Sequence, residues 1–277
     1  MLQIGRVNRL RVNGTQAYGV HLDGGEAGDI LLKNKDVHGN CQPGDELEVF
    51  VYVDREDRLQ ATTRTPHATV GQFASLRVVA TTSSGAYLDW GLENDLFVPK
   101  SEQQNNMVEG KSYVVFVFLS ERNNRITASS KLAKFLSPQP PDYREGEEVE
   151  LMLYEKTAMG YGALVNRSHV GMIYDNEVFQ KLQLGQELKG YIKKIRQDQK
   201  IDLSLQQSGY QRVDDISRAI LNTIEENGGR VAVTDKSPPD EIYALFGVSK
   251  KVFKKAIGAL YKKQLVVLDP TGIRLAR

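Results

Sequence analysis

The chain has 277 residues, and its 36 Lys and Arg residues against 35 Asp and Glu residues give a net charge of +1. This balance excludes a chain that is basic along its whole length but is compatible with a local basic patch. Hydrophobic residues make up 40% and charged residues 26%, which is typical of a folded protein rather than a disordered one. The length suggests roughly two or three ordinary domains, or more if they are small.

Neither a membrane span nor an export signal is apparent in the sequence. The strongest apolar stretch covers residues 113–119, far short of the roughly 18 residues that indicate a membrane span. The first ten residues carry charges where a secretory signal needs its apolar segment. Cys41 is the only cysteine, which excludes an intrachain disulfide and a cysteine cluster for zinc. We expect a soluble, cytoplasmic protein with no membrane partner.

One small unit occurs three times along the chain, and in each copy a glycine opens an apolar or alternating run that predicts a β-strand. These glycines are Gly44, Gly110 and Gly185. In each copy the next predicted strand begins with a basic residue, and in chain order these are Arg58, Arg125 and Lys200. Upstream, an aromatic-and-glycine strand begins at Tyr18, Ser84 or Tyr161. About five short strands per unit are typical of a small closed barrel.

The spacing of the anchors supports the repeat. The first two copies are offset by 66 residues, both from Gly44 to Gly110 and from Tyr18 to Ser84, and the last two, measured from Gly110 to Gly185, by 75. The extra length lies at residues 137–142, SPQPPD, whose composition predicts a stiff, extended linker.

Aromatic positions three residues apart, such as Tyr18 and His21, break the strand period of two. A glycine bulge after the first aromatic would restore the period and put both rings on one face of the strand. We therefore expect such a bulge in this strand of the unit.

From about Val213 the period changes to that of helices. A first helix with an apolar face ends at residues 227–229, NGG, and a second short helix follows Pro238 and Pro239. Ser249 is a plausible N-cap for a third helix over residues 250–263. The predicted buried stripe of that helix is Val252, Phe253, Ala256, Ile257 and Leu260. Two strands around residues 270–272 then form a hairpin, which completes the element order of a winged helix.

The tail carries a local excess of basic charge. Residues 211–277 hold 12 basic and 8 acidic side chains, a net charge of +4, whereas the three repeated units carry −2, +1 and −2. The basic charge is concentrated on the third helix at Lys250, Lys251, Lys254, Lys255, Lys262 and Lys263. Lysines four apart share one helix face, where a phosphate backbone would offset their repulsion.

The order of motifs in each unit resembles the S1 RNA-binding domain, a five-stranded OB-fold module. The third copy is the fullest match, with YGALV at 161–165, HVGMIYDNE at 169–177 and KIDLSL at 200–205. In the other copies Leu31 and Val98 stand where the module usually has His or an aromatic residue, and Ser84 replaces the first aromatic of the second copy. Three such units followed by a basic winged helix resemble the bacterial conserved virulence factor B family. The resemblance implies RNA binding and a link to the control of virulence-factor expression.

We therefore predict a mostly β chain with a C-terminal α+β domain. Its parts are three S1-like OB barrels at 1–65, 66–137 and 143–210, a Pro-rich linker at 138–142 and a basic winged helix at 211–277.

The candidate site residues are aromatic rings that stack on bases and basic side chains that hold phosphate. The stacking candidates are Tyr18, His21, Tyr87, Tyr161 and Tyr174. The phosphate candidates are Lys193, Lys194 and Arg196 in the third unit and Lys250, Lys251, Lys254 and Lys255 in the winged helix. The alternatives are that the rings close the barrels or pack between domains and that the lysines are solvated surface. Trp90 is expected in a core or an interface.

These candidates predict a non-enzymatic protein that binds single-stranded RNA and affects gene expression post-transcriptionally. The four histidines are scattered, and the chain has no phosphate-binding loop or metal motif, so we expect no cofactor, no metal and no small-molecule substrate. One alternative is a transcriptional regulator that binds duplex DNA through the winged helix. Another is a scaffold that docks on the ribosome or RNA polymerase.

Overall fold

The computed structural model describes residues 2–54, 56–175, 178, 181–205 and 209–276, with only the backbone given for 209–215. It contains three closed five-stranded barrels, followed by three helices and a three-stranded sheet, which confirms the predicted fold class. Two compact units are present: residues 1–142, 149–189 and 197–201 form the first, and residues 143–148, 190–196 and 202–277 form the second.

The three barrels share one strand order, in which the third strand neighbours the fifth and the fourth neighbours the first. The first barrel consists of β1 (Val7–Gln16), β2 (Gly19–Asp23), β3 (Asp29–Lys33), β4 (Glu46–Val53) and β5 (Leu59–Thr62). The second consists of β6 (Phe73–Thr81), β7 (Gly85–Asp89), β8 (Leu96–Pro99), β9 (Ser112–Leu119) and β10 (Ile126–Ser129). The third consists of β11 (Glu148–Lys156), β12 (Gly160–Val165), β13 (His169–Tyr174), β14 (Glu187–Ile195) and β15 (Ile201–Ser204).

The repeated glycines form the turn that enters the fourth strand of each barrel. Gly44, Gly110 and Gly185 each lie two residues before that strand and have φ values of +102°, +79° and +82°. The N–H of each donates to a carbonyl of the first strand of its own barrel at 2.6–2.9 Å. A positive φ carries little steric cost for glycine, which explains why this position recurs as glycine.

Alternation along the strands separates the barrel interior from the outer face. In β2, Val20 and Leu22 are fully buried while His21 between them is half-buried. In β7, Ala86 and Leu88 are fully buried on either side of a half-buried Tyr87. The interior therefore holds aliphatic side chains, and the aromatic positions lie outside.

The bulge of the first barrel lies in β1 and not after the first aromatic of the motif. The pairing of β2 with β3 is unbroken from Gly19 to Asp23, whereas the register of β1 shifts between Val12 and Gly14. The predicted bulge is therefore wrong. Tyr18 lies in the turn before β2, and that turn brings its ring within 6.0 Å of the His21 ring.

The first and second barrels share a hydrophobic contact around Phe50. This side chain belongs to β4, yet it packs in the hydrophobic cluster of the second barrel, edge-on to Trp90 with ring centroids 5.7 Å apart. Phe50 and Trp90 are 1% and 4% exposed, so the contact is dry. The contact agrees with the expectation that Trp90 lies in a core or an interface.

Polar contacts also join these two barrels. The carbonyl of Gly5 accepts a hydrogen bond from the Val70 N–H at 2.9 Å, and ion pairs link Lys35 to Glu93 and Asp57 to Arg125.

The second and third barrels meet at another apolar cluster. Phe73 and Phe116 of the second barrel pack with Met152 and Leu164 of the third, and Phe116 stacks on Phe135 with ring centroids 4.2 Å apart. The predicted linker follows this cluster, where the Ser137 N–H donates to the Ser168 carbonyl at 2.8 Å and the Gln139 carbonyl lies 3.0 Å from the His169 Nε2 atom.

The C-terminal region has the element order expected for a winged helix. Its helices are α1 (Gly209–Glu226), α2 (Pro239–Phe246) and α3 (Lys250–Lys262), and its strands are β16 (Arg230–Val231), β17 (Val266–Asp269) and β18 (Gly272–Leu275). The Ser249 side chain accepts a hydrogen bond from the Val252 N–H, which confirms the predicted N-cap. Phe253, Ala256, Ile257 and Leu260 are buried as predicted, whereas Val252 is half-buried. The short strand β16 had no signal in the sequence.

The Phe50 contact predicts a coupled loss of stability and change in Trp90 fluorescence. Replacing Phe50 by Ala should lower the free energy of unfolding by about 3–5 kcal/mol, because it leaves a cavity between two packed barrels. Trp90 is the only tryptophan, so its emission in the folded protein should shift to longer wavelength as water reaches the ring.

Leu32→Ala is the matched control, since Leu32 is fully buried in the first barrel core and is not part of the Trp90 cluster. It should destabilise the protein in a urea titration without changing the folded-state emission. An unchanged Trp90 spectrum in folded Phe50→Ala would contradict the shared core.

Candidate nucleic-acid interface

The second barrel presents a pair of aromatic rings on its outer face. Tyr87 on β7 and Phe97 on β8 are directly opposed across the strands, with ring centroids 5.1 Å apart and an interplanar angle of 42°. Both side chains are half-buried, so part of each ring faces solvent. Such a pair offers apolar π-faces on which an unpaired base can stack.

The glycine of this motif allows the close approach of the neighbouring strand. A Cβ atom at Gly85 would lie 2.3 Å from the Val98 carbonyl oxygen and 2.7 Å from the Phe97 ring. Gly19 is constrained in the same way by the Leu32 carbonyl, also at 2.3 Å. The recurring glycine is therefore explained by this packing, because any side chain there would push the neighbouring strand away.

Phe97 is a functional candidate that the sequence analysis missed. It occupies the strand position that pairs with Tyr87, as Leu31 pairs with His21 in the first barrel. The alignment of the three repeated units placed Val98 at this position, but the Val98 side chain is fully buried. A one-residue shift in register accounts for the error, since it exchanges the inner and outer faces of a strand.

The first barrel has a smaller aromatic face. Tyr18 is 58% exposed, and the edge of its ring contacts the ring of His21 at an interplanar angle of 70°. The His21 Nδ1 atom lies 3.7 Å from a carboxylate oxygen of Asp29, while its buried Nε2 atom has no hydrogen-bond partner among the described residues. On this face of the barrel the Tyr18 ring is therefore accessible, and the His21 ring packs against it.

The third barrel departs from the other two at its aromatic positions. A Cβ atom at Gly160 would lie 2.0 Å from the Ile173 carbonyl oxygen, so Gly160 is the counterpart of Gly19 and Gly85. The counterpart of Tyr18 is therefore Met159, which is 61% exposed, and not Tyr161 as the sequence alignment placed it.

Tyr161 lies beneath a lysine side chain. The Lys156 Nζ atom lies 4.1 Å from the centroid of the Tyr161 ring, a cation–π contact, and Lys156 also forms an ion pair with Asp175. Tyr174, the other predicted stacking residue of this barrel, is half-buried and pairs across the strands with Gly160. A base that stacks on the covered face of Tyr161 must displace the ammonium group.

The strand position that carries His21 and Tyr87 in the first two barrels is Gly162 in the third. A Cβ atom there would lie 2.8–2.9 Å from the side chains of Glu155 and Tyr154, so these side chains fill the space. Burial, with a smaller contribution from the Glu155 carboxylate, raises the pKa of the Tyr154 phenol above its ordinary value. Tyr154 therefore stays protonated at neutral pH.

A basic residue precedes the fifth strand of each barrel, and all three are ion-paired. Arg58 pairs with Asp54 and Glu56 of its own hairpin, at 3.0 and 2.7 Å. Lys200 pairs with Asp198 of its own hairpin at 3.0 Å, whereas Arg125 of the second barrel pairs with Asp57 of the first at 2.7 Å. These cations were anchors of the repeat but were not recognised as candidate phosphate contacts.

The phosphate candidates of the third barrel are not equivalent to one another. Lys193 and Lys194 are exposed residues of β14. Arg196 lies just after this strand and forms an ion pair with Asp202 at 3.0 Å.

The candidate lysines of the winged helix also divide into two groups. The Lys250 ammonium group donates to the carbonyls of Lys236 and Ser237, at 3.2 and 2.8 Å, and thereby fastens α3 to the loop before α2. Lys254 lies 3.5 Å from Asp235. Lys251 and Lys255 are exposed and four residues apart, which places them on one face of α3.

Comparison with known proteins agrees with this architecture. A model of the S1 domain matches residues 4–64 and 70–131, and a model of the CvfB-like winged helix domain matches residues 218–275. Proteins named conserved virulence factor B, from Staphylococcus saprophyticus and Staphylococcus epidermidis, are 24% and 25% identical over 99% of this chain and 95% of their own length. The resemblance to the conserved virulence factor B family is confirmed. The S1 and winged-helix domains are nucleic-acid-binding modules, so the chain is a nucleic-acid-binding protein.

A solved structure spans a similar length of chain. It is the crystal structure of a multidomain protein with nucleic acid binding domains from Streptococcus pneumoniae, which is 23% identical to this chain, covers 98% of both chains and has a TM-score of 0.44.

Within the described ranges, no helix is both long and apolar enough to cross a membrane. No group of three or more His, Cys, Asp or Glu side chains in that part of the chain is arranged to hold a metal ion.

The different roles of the α3 lysines predict different effects on stability. Lys250→Ala should lower the free energy of unfolding of the winged helix by about 1–2 kcal/mol, because two carbonyl groups lose a charged donor. Lys251→Ala should change it by less than about 0.5 kcal/mol, as expected for an exposed residue. Thermal unfolding monitored by far-UV circular dichroism checks both values, and equal losses in the two variants would contradict the assignment.

Proposed function

We propose that this protein binds single-stranded RNA by stacking bases on the outer faces of its barrels. The observation that carries the proposal is the Tyr87–Phe97 pair, two large rings side by side on the outer face of an S1 domain. A barrel that needed these rings only for its core would place them inside, where Ala86 and Leu88 already fill the space. Tyr18 and Tyr174 provide further ring surface in the first and third barrels.

The charges of the barrels fit a mode of binding in which stacking dominates. The first three domains carry −2, +1 and −2, and the cation that precedes the fifth strand of each barrel is ion-paired. Phosphate groups of RNA compete for these cations and do not meet a strongly basic groove. We therefore expect a moderate dependence of RNA affinity on salt concentration.

Several modest sites on one chain produce useful affinity for a long RNA. The first two barrels are joined through Phe50 and the second and third through Phe116, so their aromatic faces are held in a defined arrangement. Once one face has bound, the next binding event is intramolecular and benefits from a high effective concentration. We propose that such binding affects gene expression post-transcriptionally in the cytoplasm, and the name of the relatives supports a role in virulence.

The exposed lysines of α3 favour a second candidate function. Lys251 and Lys255 lie on one face of the third helix of a winged helix, where they can contact the phosphates of duplex DNA or of the same RNA. Lysine is better suited to holding phosphate than to reading bases, so the proposal is contact without sequence preference. Docking on the ribosome or RNA polymerase remains the alternative that requires no such contact.

The stacking proposal predicts that Tyr87→Ala weakens binding to a fluorescein-labelled single-stranded RNA by about 5- to 150-fold, the usual value of one base–aromatic contact. Tyr87→Phe is the matched control, because it keeps the ring and removes only the hydroxyl group, and it should bind within about twofold of the wild type. Fluorescence anisotropy with the full chain measures both. Equal affinity of folded Tyr87→Ala and the wild type would contradict the assignment of this face as a base-stacking surface.

The second candidate predicts a different pattern for the lysines. The double variant Lys251→Ala, Lys255→Ala should reduce affinity for duplex DNA and lower the slope of log affinity against log salt by about two. If the affinity for duplex DNA and the slope both stay at wild-type values, the face of α3 has no role in holding phosphate.

A further inference from the structure

A cleft of about 580 Å³ lies between the first and second barrels. Its volume falls within the roughly 300–1,000 Å³ typical of small-ligand sites. The second barrel contributes the solvent-facing pair Tyr87 and Phe97, and the first barrel contributes Tyr52 from β4. The cleft is therefore lined by aromatic rings from two different domains.

The position of Tyr52 follows from the packing between the barrels. Phe50 and Tyr52 are two residues apart on β4, so both face the second barrel, and their rings are 6.4 Å apart and nearly parallel. Phe50 is fully buried against Trp90, which leaves Tyr52 half-buried at the edge of the contact. Burial, and then the nearby carboxylates of Asp36, Glu93 and Asp54, raise the pKa of Tyr52, so it keeps its hydroxyl proton at neutral pH.

In the interior of the cleft, the polar groups are better suited to a base than to a phosphate group. Asn94 and Asn123 line the cleft and carry amide donors and acceptors of the kind that match base edges. Asp54 is a buried carboxylate whose oxygens already accept hydrogen bonds from Arg58 and Gln60. A phosphate group would be repelled from this side, so it must lie at the rim.

Arg125 lines the cleft, and its guanidinium group is held by the other barrel. Its Nε and Nη2 atoms donate to the same carboxylate oxygen of Asp57, at 3.0 and 2.7 Å. The Asp57 side chain is 72% exposed and that of Arg125 38%, so the pair is weak enough to exchange. The Nε–Nη2 edge of arginine is also suited to binding a phosphate group with two parallel hydrogen bonds.

We propose that this cleft binds one nucleotide of single-stranded RNA, with the base among Tyr52, Tyr87 and Phe97 and the phosphate on Arg125 in place of Asp57. Asp57 is then a built-in competitor that occupies the arginine when RNA is absent. This inference rests on the proposed function, because it assigns a composite subsite and its regulation to the same RNA-binding face.

Two substitutions that break the Asp57–Arg125 ion pair should have opposite effects on RNA affinity. Arg125→Gln should weaken binding of a fluorescein-labelled decauridylate by about tenfold, because a charge-assisted contact to phosphate is lost. Asp57→Asn should strengthen binding by up to about fivefold, because the competitor for Arg125 is lost. Asn suits this turn, since Asp57 has φ +59° and the corresponding turn of the second barrel has Asn124 at φ +51°.

Glu93→Gln is the matched control, because it breaks the other ion pair between the same two barrels, that with Lys35. It should leave RNA affinity within about twofold of the wild type. Trp90 emission in each variant verifies that the shared core is intact, and an oligodeoxythymidylate of equal length tests whether the subsite prefers RNA. Opposite signs for the two Asp57–Arg125 variants support the proposal.

A loss of affinity in both variants, or no change in either, overturns the competitor assignment while leaving RNA binding in place. Wild-type protein that fails to bind the decauridylate and longer single-stranded RNAs overturns the proposed function and this inference with it.

Discussion

The burial of Phe50 in the hydrophobic cluster of the second barrel is the contact on which the arrangement of the first two domains depends. A strand of one barrel places an aromatic side chain against Trp90 of the next, so the two domains share part of a core and are not merely tethered. Because β4 is fixed in this way, Tyr52 reaches the edge of the aromatic face of the second barrel and Asp57 reaches Arg125. The cleft between the barrels therefore depends on this buried ring.

The ion pairs of the protein determine how its charged side chains can interact with nucleic acid. The chain is near neutral, and its first and third barrels are acidic. It is therefore an unusual partner for a polyanion, since non-specific binding to nucleic acid comes mainly from unpaired cations. Here the cations at the aromatic faces are held by carboxylates, such as Asp57 on Arg125 and Asp175 on Lys156. In the proposed function, such pairing limits attraction to duplexes in general, and the exposed rings select single strands, which alone present unstacked bases.

Much of the fold was predictable from the sequence, because glycine and turn residues report backbone geometry locally. Gly44, Gly110 and Gly185 mark the entry to the fourth strand, and Ser249 caps α3 as predicted. The positions of the candidate residues on the strands were predicted less well, because they depend on strand register. A shift of one residue exchanged Phe97 for Val98 on the opposite face, and a shift of two residues aligned Tyr161 with Tyr18 in place of Met159.

Contacts between domains had no local signal in the sequence. Nothing near Arg125 in the chain indicates that its partner is Asp57, 68 residues away, and nothing near Phe50 indicates that it packs in another barrel. Such pairs arise from tertiary packing, which motif spacing does not report.

The central claim is that aromatic barrel faces make this a single-strand RNA-binding protein. Its most direct test is fluorescence anisotropy of the full chain with single-stranded RNA, single-stranded DNA and duplex DNA, each at low and physiological salt. The account predicts tightest binding to single-stranded RNA with a shallow salt dependence, because stacking carries most of the affinity. Preference for duplex DNA with a steep salt dependence would contradict it and would assign the function to the winged helix.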